Sequence, residues 1–275
     1  MNRVARSALR VSAGAVLIYA IACAIVAAAY RPLLFPVAGR ADPPLPADAT
    51  KIEAHAQGGA TARALRFGPA PADAPLTIVF FHGNGELAED GEGLARDLAS
   101  HGWCVELAEY RGYGLSRGAG APSERGIYED AEAIVEQTGA PNGRLVLMGF
   151  SLGTGVAVEM AARGHGRAVV LLAPYTSIPA VATRWLQIFP MGLLVRDRFD
   201  SLAKAPRIDL PVLVAHGDRD EVVPFDMGET LAHAFPHGKF VAVSGARHMT
   251  LFQSDDHLMQ KIVDFLIDVT PISVP

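Results

Sequence analysis

The sequence predicts an α/β domain, a mostly parallel sheet with helices on both faces, within a chain of 275 residues. Three observations carry this. From Lys51 onward, short apolar runs alternate with amphipathic stretches. Those runs are rich in Val, Leu and Ile and lack polar alternation, which marks strands covered on both faces. One of them, "RLVLMGF", stops at a serine held between glycines in "GFSLG", so a buried strand breaks at a polar corner. The length suits one large domain with a sizeable core, or two small ones.

The N-terminal element comes first. Arg3, Arg6 and Arg10 precede "VSAGAVLIYAIACAIVAAAY", twenty residues without a charge. That length matches a membrane-spanning helix, so residues 11–30 are expected to form an anchor behind a short cytoplasmic tail, 1–10. A cleaved signal peptide is the alternative, with "AAA" before Tyr30 as its processing site. A buried core helix is the weaker alternative, because a helix packed on a domain of this size usually keeps a polar face and this stretch has none. The three arginines favour the N-terminal end in the cytoplasm. The bulk of such a single-pass chain is then expected outside it, on the periplasmic or extracellular face. Arg31 and Arg40 on the far side pull against that orientation. Residues 31–50 carry five prolines and read as an extended, semi-rigid linker.

The domain proper is expected over residues 51–270. "KIEAHA" and "TARALRF" read as two strands around a Gly-Gly turn. "LTIVFF", "WCVELAEY", "RLVLMG", "AVVLLA", "PVLVAH" and "KFVAVS" read as buried strands. Helices are expected near 87–100, 124–138, 152–163, 225–235 and 258–269. One interval, 177–206, has no strand and holds Trp185, Leu186, Ile188, Phe189, Met191, Leu193 and Leu194. An insertion of that length reads as a small apolar cap over a site, or as an ordinary helix packed on the core.

Composition narrows the partners. A net charge of -5 with no basic stripe argues against nucleic acid. Cys23 and Cys104 are far apart and show no CxxC spacing. No HExxH or similar constellation suggests a metal, and "YRGYGLSRG" lacks both phosphate-loop frames, so no cofactor is expected.

The serine corner supplies the chemistry. Gly149-Phe150-Ser151-Leu152-Gly153 fits G-x-S-x-G with a strand before it and a helix after it. A strand turning at once into a helix strains its corner residue and leaves no room for neighbouring side chains, hence the glycines. The hydroxyl stands clear of the sheet, near the positive end of the following helix. As a bland alternative, Ser151 would only cap that helix. A serine nucleophile needs a base and an orienting acid. "HGDRDEVVP" follows a strand and offers Asp218, Asp220 and Glu221. Asp220 is the expected acid, because Asp218 suits its own turn; Asp197 and Asp200 are outside alternatives. Of nine histidines, His248 in "SGARHMTLF" has the required order and place, after the last strand and before the last helix. His82 and His216 precede glycines at strand ends and read as loop braces. The others fall on helices, strand edges or turns. The backbone N–H groups of Asn84, in "FFHGNGE", and of Leu152 are the expected oxyanion donors. Trp185, Phe189 and Tyr113 are the expected substrate-binding residues, with Arg111 beside them.

With these residues in place, the chain resembles the α/β-hydrolase superfamily. More narrowly, it is similar to the single-pass membrane-anchored serine hydrolases that include animal depalmitoylases, and to serine aminopeptidase-like hydrolases. The segments "RPLLFP", "FFHGNGE", "EYRGYGLSRG", "PSERGIYEDAEA", "GFSLGTG", "RDRFDS", "HGDRDEVVP" and "GARH" carry the resemblance. It implies an eight-stranded, mostly parallel sheet whose second strand is antiparallel, and the triad Ser151, Asp220 and His248. Glu109 stands where relatives often have aspartate. The expected activity is hydrolysis of a carboxylic ester or thioester on a small or lipid-like acyl substrate. A peptidase, with Glu86 or Glu109 holding a free amine, is the second expectation. A non-catalytic membrane scaffold is the third.

Overall fold

A computed structural model of the chain describes residues 3–36, 44–255 and 257–270, with side chains from residue 12. The first two residues of the expected tail and residues 37–43 of the linker, Arg40 among them, lie outside the described residues. Helix α1 (Arg3–Leu34) takes in the charge-free stretch and overruns it at both ends. The expected tail is therefore helical from Arg3. The linker's first residues form the last turn of α1 despite Pro32.

Among the described residues, one sheet holds eight strands in the order β1-β2-β4-β3-β5-β6-β7-β8. They are β1 (Thr50–His55), β2 (Thr61–Phe67), β3 (Thr77–Phe81), β4 (Cys104–Glu109), β5 (Leu145–Phe150), β6 (Ala168–Leu172), β7 (Pro211–Gly217) and β8 (His237–Val243). β2 runs antiparallel to both neighbours, and every pair from β4 through β8 is parallel. The central strands are buried along their whole length, as runs without polar alternation require.

Alternate residues of each central strand feed opposite faces. Val79, Phe81, Leu147 and Leu171 pack with Ile127 and Ile134 of α3 (Glu124–Gln137), Val156 and Met160 of α4 (Leu152–Ala162) and Leu231 of α7 (Phe225–Ala234). Ile78, Phe80, Met148 and Val170 pack with Leu98 of α2 (Glu92–Ala99) and Ile262 and Leu266 of α8 (Leu258–Val269). Each such side chain contributes about 1.5–3 kcal/mol by leaving water. Parallel strands also place all their carboxyl ends on one edge, where loops can bring distant residues together.

The insert after β6 folds into α5 (Ile178–Trp185) and α6 (Met191–Leu194), then returns without regular structure. Ser177 caps α5 by accepting from the N–H of Ala180. The returning segment is latched to α3. Glu124 accepts from the N–H groups of Arg198 and Phe199, and its own N–H donates to Asp197. The insert's apolar residues divide. Met191, Val195 and Phe199 are buried, whereas Trp185, Leu186, Ile188 and Leu193 face outward.

Candidate active site

The corner between β5 and α4 is strained as the sequence requires. Ser151 has φ 49° and ψ -116°, a region that L side chains rarely occupy. Its glycines are needed for space. A Cβ at Gly153 would overlap the carbonyl oxygen of Phe81, and one at Gly149 would overlap the backbone of Gly153. Strand β3, strand β5 and helix α4 can approach this closely only without those side chains. The Ser151 N–H is tied to the Leu172 carbonyl at 2.9 Å. Leu152 begins α4, so its N–H has no partner from an earlier helical turn.

The loops after β7 and β8 meet this corner. His248 Nε2 lies 3.0 Å from Ser151 Oγ, and its Nδ1 lies 2.7 Å from Asp220 Oδ2. A carboxylate only accepts, so Nδ1 carries the hydrogen and Nε2 presents its lone pair to the serine hydroxyl. All three side chains are buried. Asp220 Oδ1 accepts from the N–H groups of Val222 and Val223, each at 2.8 Å. Burial pushes the Asp220 carboxyl up, but the bonds from His216 and His248 outweigh it. The carboxyl is held well below the usual carboxylate range.

His216 was expected only to brace a loop. It does so through the Val223 carbonyl, 3.1 Å from Nε2, but the same nitrogen also lies 3.2 Å from Asp220 Oδ2. The spacing of "HGDRD" was its one sequence signal.

The loop after β3 rests on a second buried pair. His82 Nε2 is 2.9 Å from Glu109 Oε1, and Nδ1 is 2.7 Å from the Gly83 carbonyl. The Gly83 carbonyl accepts, as does Glu109 when ionised, so the two contacts favour a ring protonated on both nitrogens. Burial alone would lower its pKa; the bond and charge of Glu109 turn the net shift upward. Tyr110 donates to the His82 carbonyl and Tyr113 to the Asn84 carbonyl, each at 2.8 Å. Glu86 accepts from the Gly83 N–H at 2.7 Å. Because the Gly83 carbonyl faces the His82 ring, the trans peptide turns the Asn84 N–H the other way.

A cleft of about 200 Å³ opens beside His248, lined by Phe80, Leu94, Phe150, Met249, Leu251 and Phe252 together with the carboxylates Glu86 and Asp90. The three expected substrate-binding residues are not part of its lining. Tyr113 is buried, with its hydroxyl spent on Asn84. Phe189 stacks on Tyr19 of α1, and Trp185 faces outward. Arg111 is forked onto Asp130. Of the alternative acids, Asp218 accepts from the Gly245 N–H, Asp200 from the Ala203 N–H, and Asp197 holds α1. Glu109, offered as an amine ligand, is occupied by His82.

A hydroxyl, an imidazole and a carboxylate bonded in series at the carboxyl edge of a parallel sheet are the working parts of α/β-type hydrolases. Known proteins of similar sequence point to the same superfamily. A model of the serine aminopeptidase family S33 matches residues 72–202, and one of a TAP-like protein matches residues 195–271. Uncharacterized protein Rv2307c of Mycobacterium tuberculosis is 36% identical over 160 residues, covering 56% of this chain and 56% of its own length. Alpha/beta hydrolase domain-containing protein aho-3 of Caenorhabditis elegans is 33% identical over 171 residues, covering 58% of this chain and 48% of its own. Alpha/beta hydrolase domain-containing protein 17B of Homo sapiens is 32% identical over 170 residues, covering 58% and 55%. The chain thus spans about half the length of the curated relatives it matches. Among solved structures, the Pyrococcus furiosus esterase Pf2001 superposes with a TM-score of 0.68 at 17% identity, covering 85% of this chain and 99% of that one. The Thermogutta terrifontis esterase 2 phosphonylated by cyclosarin gives 0.65 at 18%, covering 86% and 100%. Those two likenesses are of fold. The chain belongs to the α/β-hydrolase superfamily.

Proposed function

We propose that the protein is a membrane-tethered serine hydrolase that cleaves carboxylic ester or thioester bonds through an acyl-enzyme on Ser151. The observation that carries this reading is the hydrogen-bond series from Ser151 through His248 to Asp220. Ser151 Oγ attacks the substrate carbonyl carbon as its proton passes to His248 Nε2. The backbone N–H groups of Asn84 and Leu152 receive the oxyanion; one such donor typically contributes about 3–4 kcal/mol in the transition state. Collapse of the tetrahedral intermediate breaks the ester or thioester bond, and the leaving alcohol or thiol takes the proton from His248. Water then attacks the acyl-enzyme, giving its proton to His248. The second collapse releases the carboxylic acid and returns the proton to Ser151. Asp220 holds the ring in the needed tautomer throughout and stabilises the imidazolium.

The apolar side chains of the cleft, Phe80, Leu94, Phe150 and Leu251, favour an aliphatic or aromatic acyl group. At about 200 Å³ the cleft is smaller than the roughly 300–1,000 Å³ of sites for drug-sized ligands, so it suits a short chain. A longer, lipid-like chain would run out past Met249 and Phe252 at its exposed rim. Anchoring is proposed through residues 11–30. The helix over Ser12–Leu34 is long and apolar enough to span a bilayer, with a mean hydropathy of 2.2. The domain would then lie on the periplasmic or extracellular face.

A peptidase of aminopeptidase type is the second reading. It is favoured by the serine aminopeptidase model and by Glu86 at the edge of the cleft. Turnover of aryl esters and thioesters of increasing chain length, set against aminoacyl anilides, separates the two. Ester hydrolysis is expected to dominate, and a preference for the anilides would overturn the assignment.

A further inference from the structure

The first helix and the insert meet partway along the apolar stretch, not only at its end. The ring of Tyr19 stacks on Phe189 with centroids 6.0 Å apart and planes 6° apart. Its hydroxyl donates to the Ile188 carbonyl at 2.6 Å. A second attachment closes the helix's far end. Tyr30 donates to Asp197 Oδ2 at 2.8 Å, and Arg31 to the same carboxylate at 2.7 and 3.2 Å. Tyr19 and Tyr30 are eleven residues apart, which is about 16 Å along a helix rising 1.5 Å per residue. The insert therefore lies along the upper half of α1.

That placement has a depth. Arg10 and Arg31 bound a charge-free stretch of twenty residues, about the length that a hydrocarbon core of roughly 30 Å demands. If α1 spans a bilayer, Tyr19 sits near its middle. Whatever touches Tyr19 shares the leaflet on the domain side.

The tip of the insert is built for such a place. "WLQIFPMGLLV", residues 185–195, has no charge, and Arg184 and Arg196 flank it. Trp185, Leu186, Ile188 and Leu193 are 64%, 41%, 74% and 83% exposed to solvent, unusual for large apolar side chains clustered on one short segment. Its backbone is largely self-satisfied. The N–H groups of Leu186, Phe189, Met191, Leu193, Leu194 and Val195 all bond within 182–195. Pro190 has no N–H, and Tyr19 takes the Ile188 carbonyl. Lipid demands this economy of backbone groups; water does not.

We infer that residues 185–194 form a membrane-inserted tip, bedded beside α1 in the leaflet facing the catalytic domain. The exposed Arg196 then meets anionic phospholipid headgroups, while Arg184 is forked onto Asp226. The inference rests on the tether reading, and its test separates the two.

The full-length chain, with Cys23 replaced by alanine, is reconstituted into vesicles of phosphatidylethanolamine and phosphatidylglycerol. The buried Cys104 is left in place. An environment-sensitive fluorophore is attached to V16C, I188C, L193C or E53C, and nitroxide is carried on the lipid acyl chains. V16C reports α1, and E53C, on the exposed face of β1, reports water. The expected result is that I188C and L193C are quenched like V16C and shielded from aqueous iodide, whereas E53C is not. If V16C is quenched while both insert positions behave like E53C, the tip is in water; the inference falls and the tether stands. If V16C also stays unquenched, the tether falls and takes the inference with it.

Discussion

His216 Nε2 lies 3.2 Å from Asp220 Oδ2, the same carboxylate oxygen that accepts His248 Nδ1 at 2.7 Å. One oxygen thus serves two imidazoles, and the second is wholly buried. His216 supports the Asp220 carboxylate without touching Ser151. A hydrogen bond to a charged group contributes about 1.5–3 kcal/mol. His216→Ala is therefore expected to lower kcat by about tenfold or more, with KM little changed. It also removes a bond that depresses the Asp220 carboxyl, so the acid limb of the kcat–pH profile should move to higher pH. An acid limb that stays in place would leave His216 a loop brace only.

Ser151→Ala is expected to abolish labelling by a fluorophosphonate probe. Removal of the serine in a well-studied serine hydrolase lowers kcat by on the order of 10⁶, and a loss of several orders is expected here. Gly153→Ala tests the corner independently. Its Cβ would strike backbone rather than a movable side chain, so a large loss of thermal stability is expected, or failure to fold. Unchanged melting in that variant would refute the close approach of α4 to β3.

The buried His82–Glu109 pair makes a pH prediction. The folded-state pKa of His82 is raised above its unfolded value. Its contribution to stability is thus fully present below about pH 6.5 and is lost as pH rises through the folded value. Asp220 behaves in the opposite sense. Its folded pKa is depressed, so its contribution is present above the unfolded value and is lost on acidification. Urea midpoints of wild type and His82→Asn across pH 5–10 are expected to converge as pH rises. Parallel curves would mean that the ring is neutral.

Much of this was legible in the chain because local chemistry announces it. Ser151, Asp220 and His248 each follow a strand end with its own turn residues, and parallel strands bring such ends to one edge. The two-faced strands were legible for the same reason. The lining of the cleft was not. Apolar residues such as Trp185 and Phe189 read alike whether they cover a cleft or lie against another helix. The cleft lining is assembled from Phe80, Leu94, Phe150 and Leu251, which come from four separate segments. The end of α1 was not legible either. Pro32 normally argues against helix, yet the Tyr30 and Arg31 bonds to Asp197 hold the last turn in place.

That last contact yields the remaining prediction. Asp197 is nearly buried, while Arg31 is half-exposed. The carboxylate accepts from Arg31, Tyr30 and the Glu124 N–H together. Burial pushes its pKa up, but these donors hold it below the usual range. Losing one exposed partner costs little, because water can replace a surface ion pair worth about 0–1 kcal/mol. Losing the carboxylate strands several donors at once and frees α1, the insert and α3 from one another. Asp197→Ala is therefore expected to destabilise the protein more than Arg31→Ala. Because the folded pKa is depressed, the difference should shrink as pH falls through the carboxylate range. Thermal melts of both variants at pH 7 and pH 4 provide the measurement. Equal losses at pH 7 would show that Asp197 acts only as Arg31's partner.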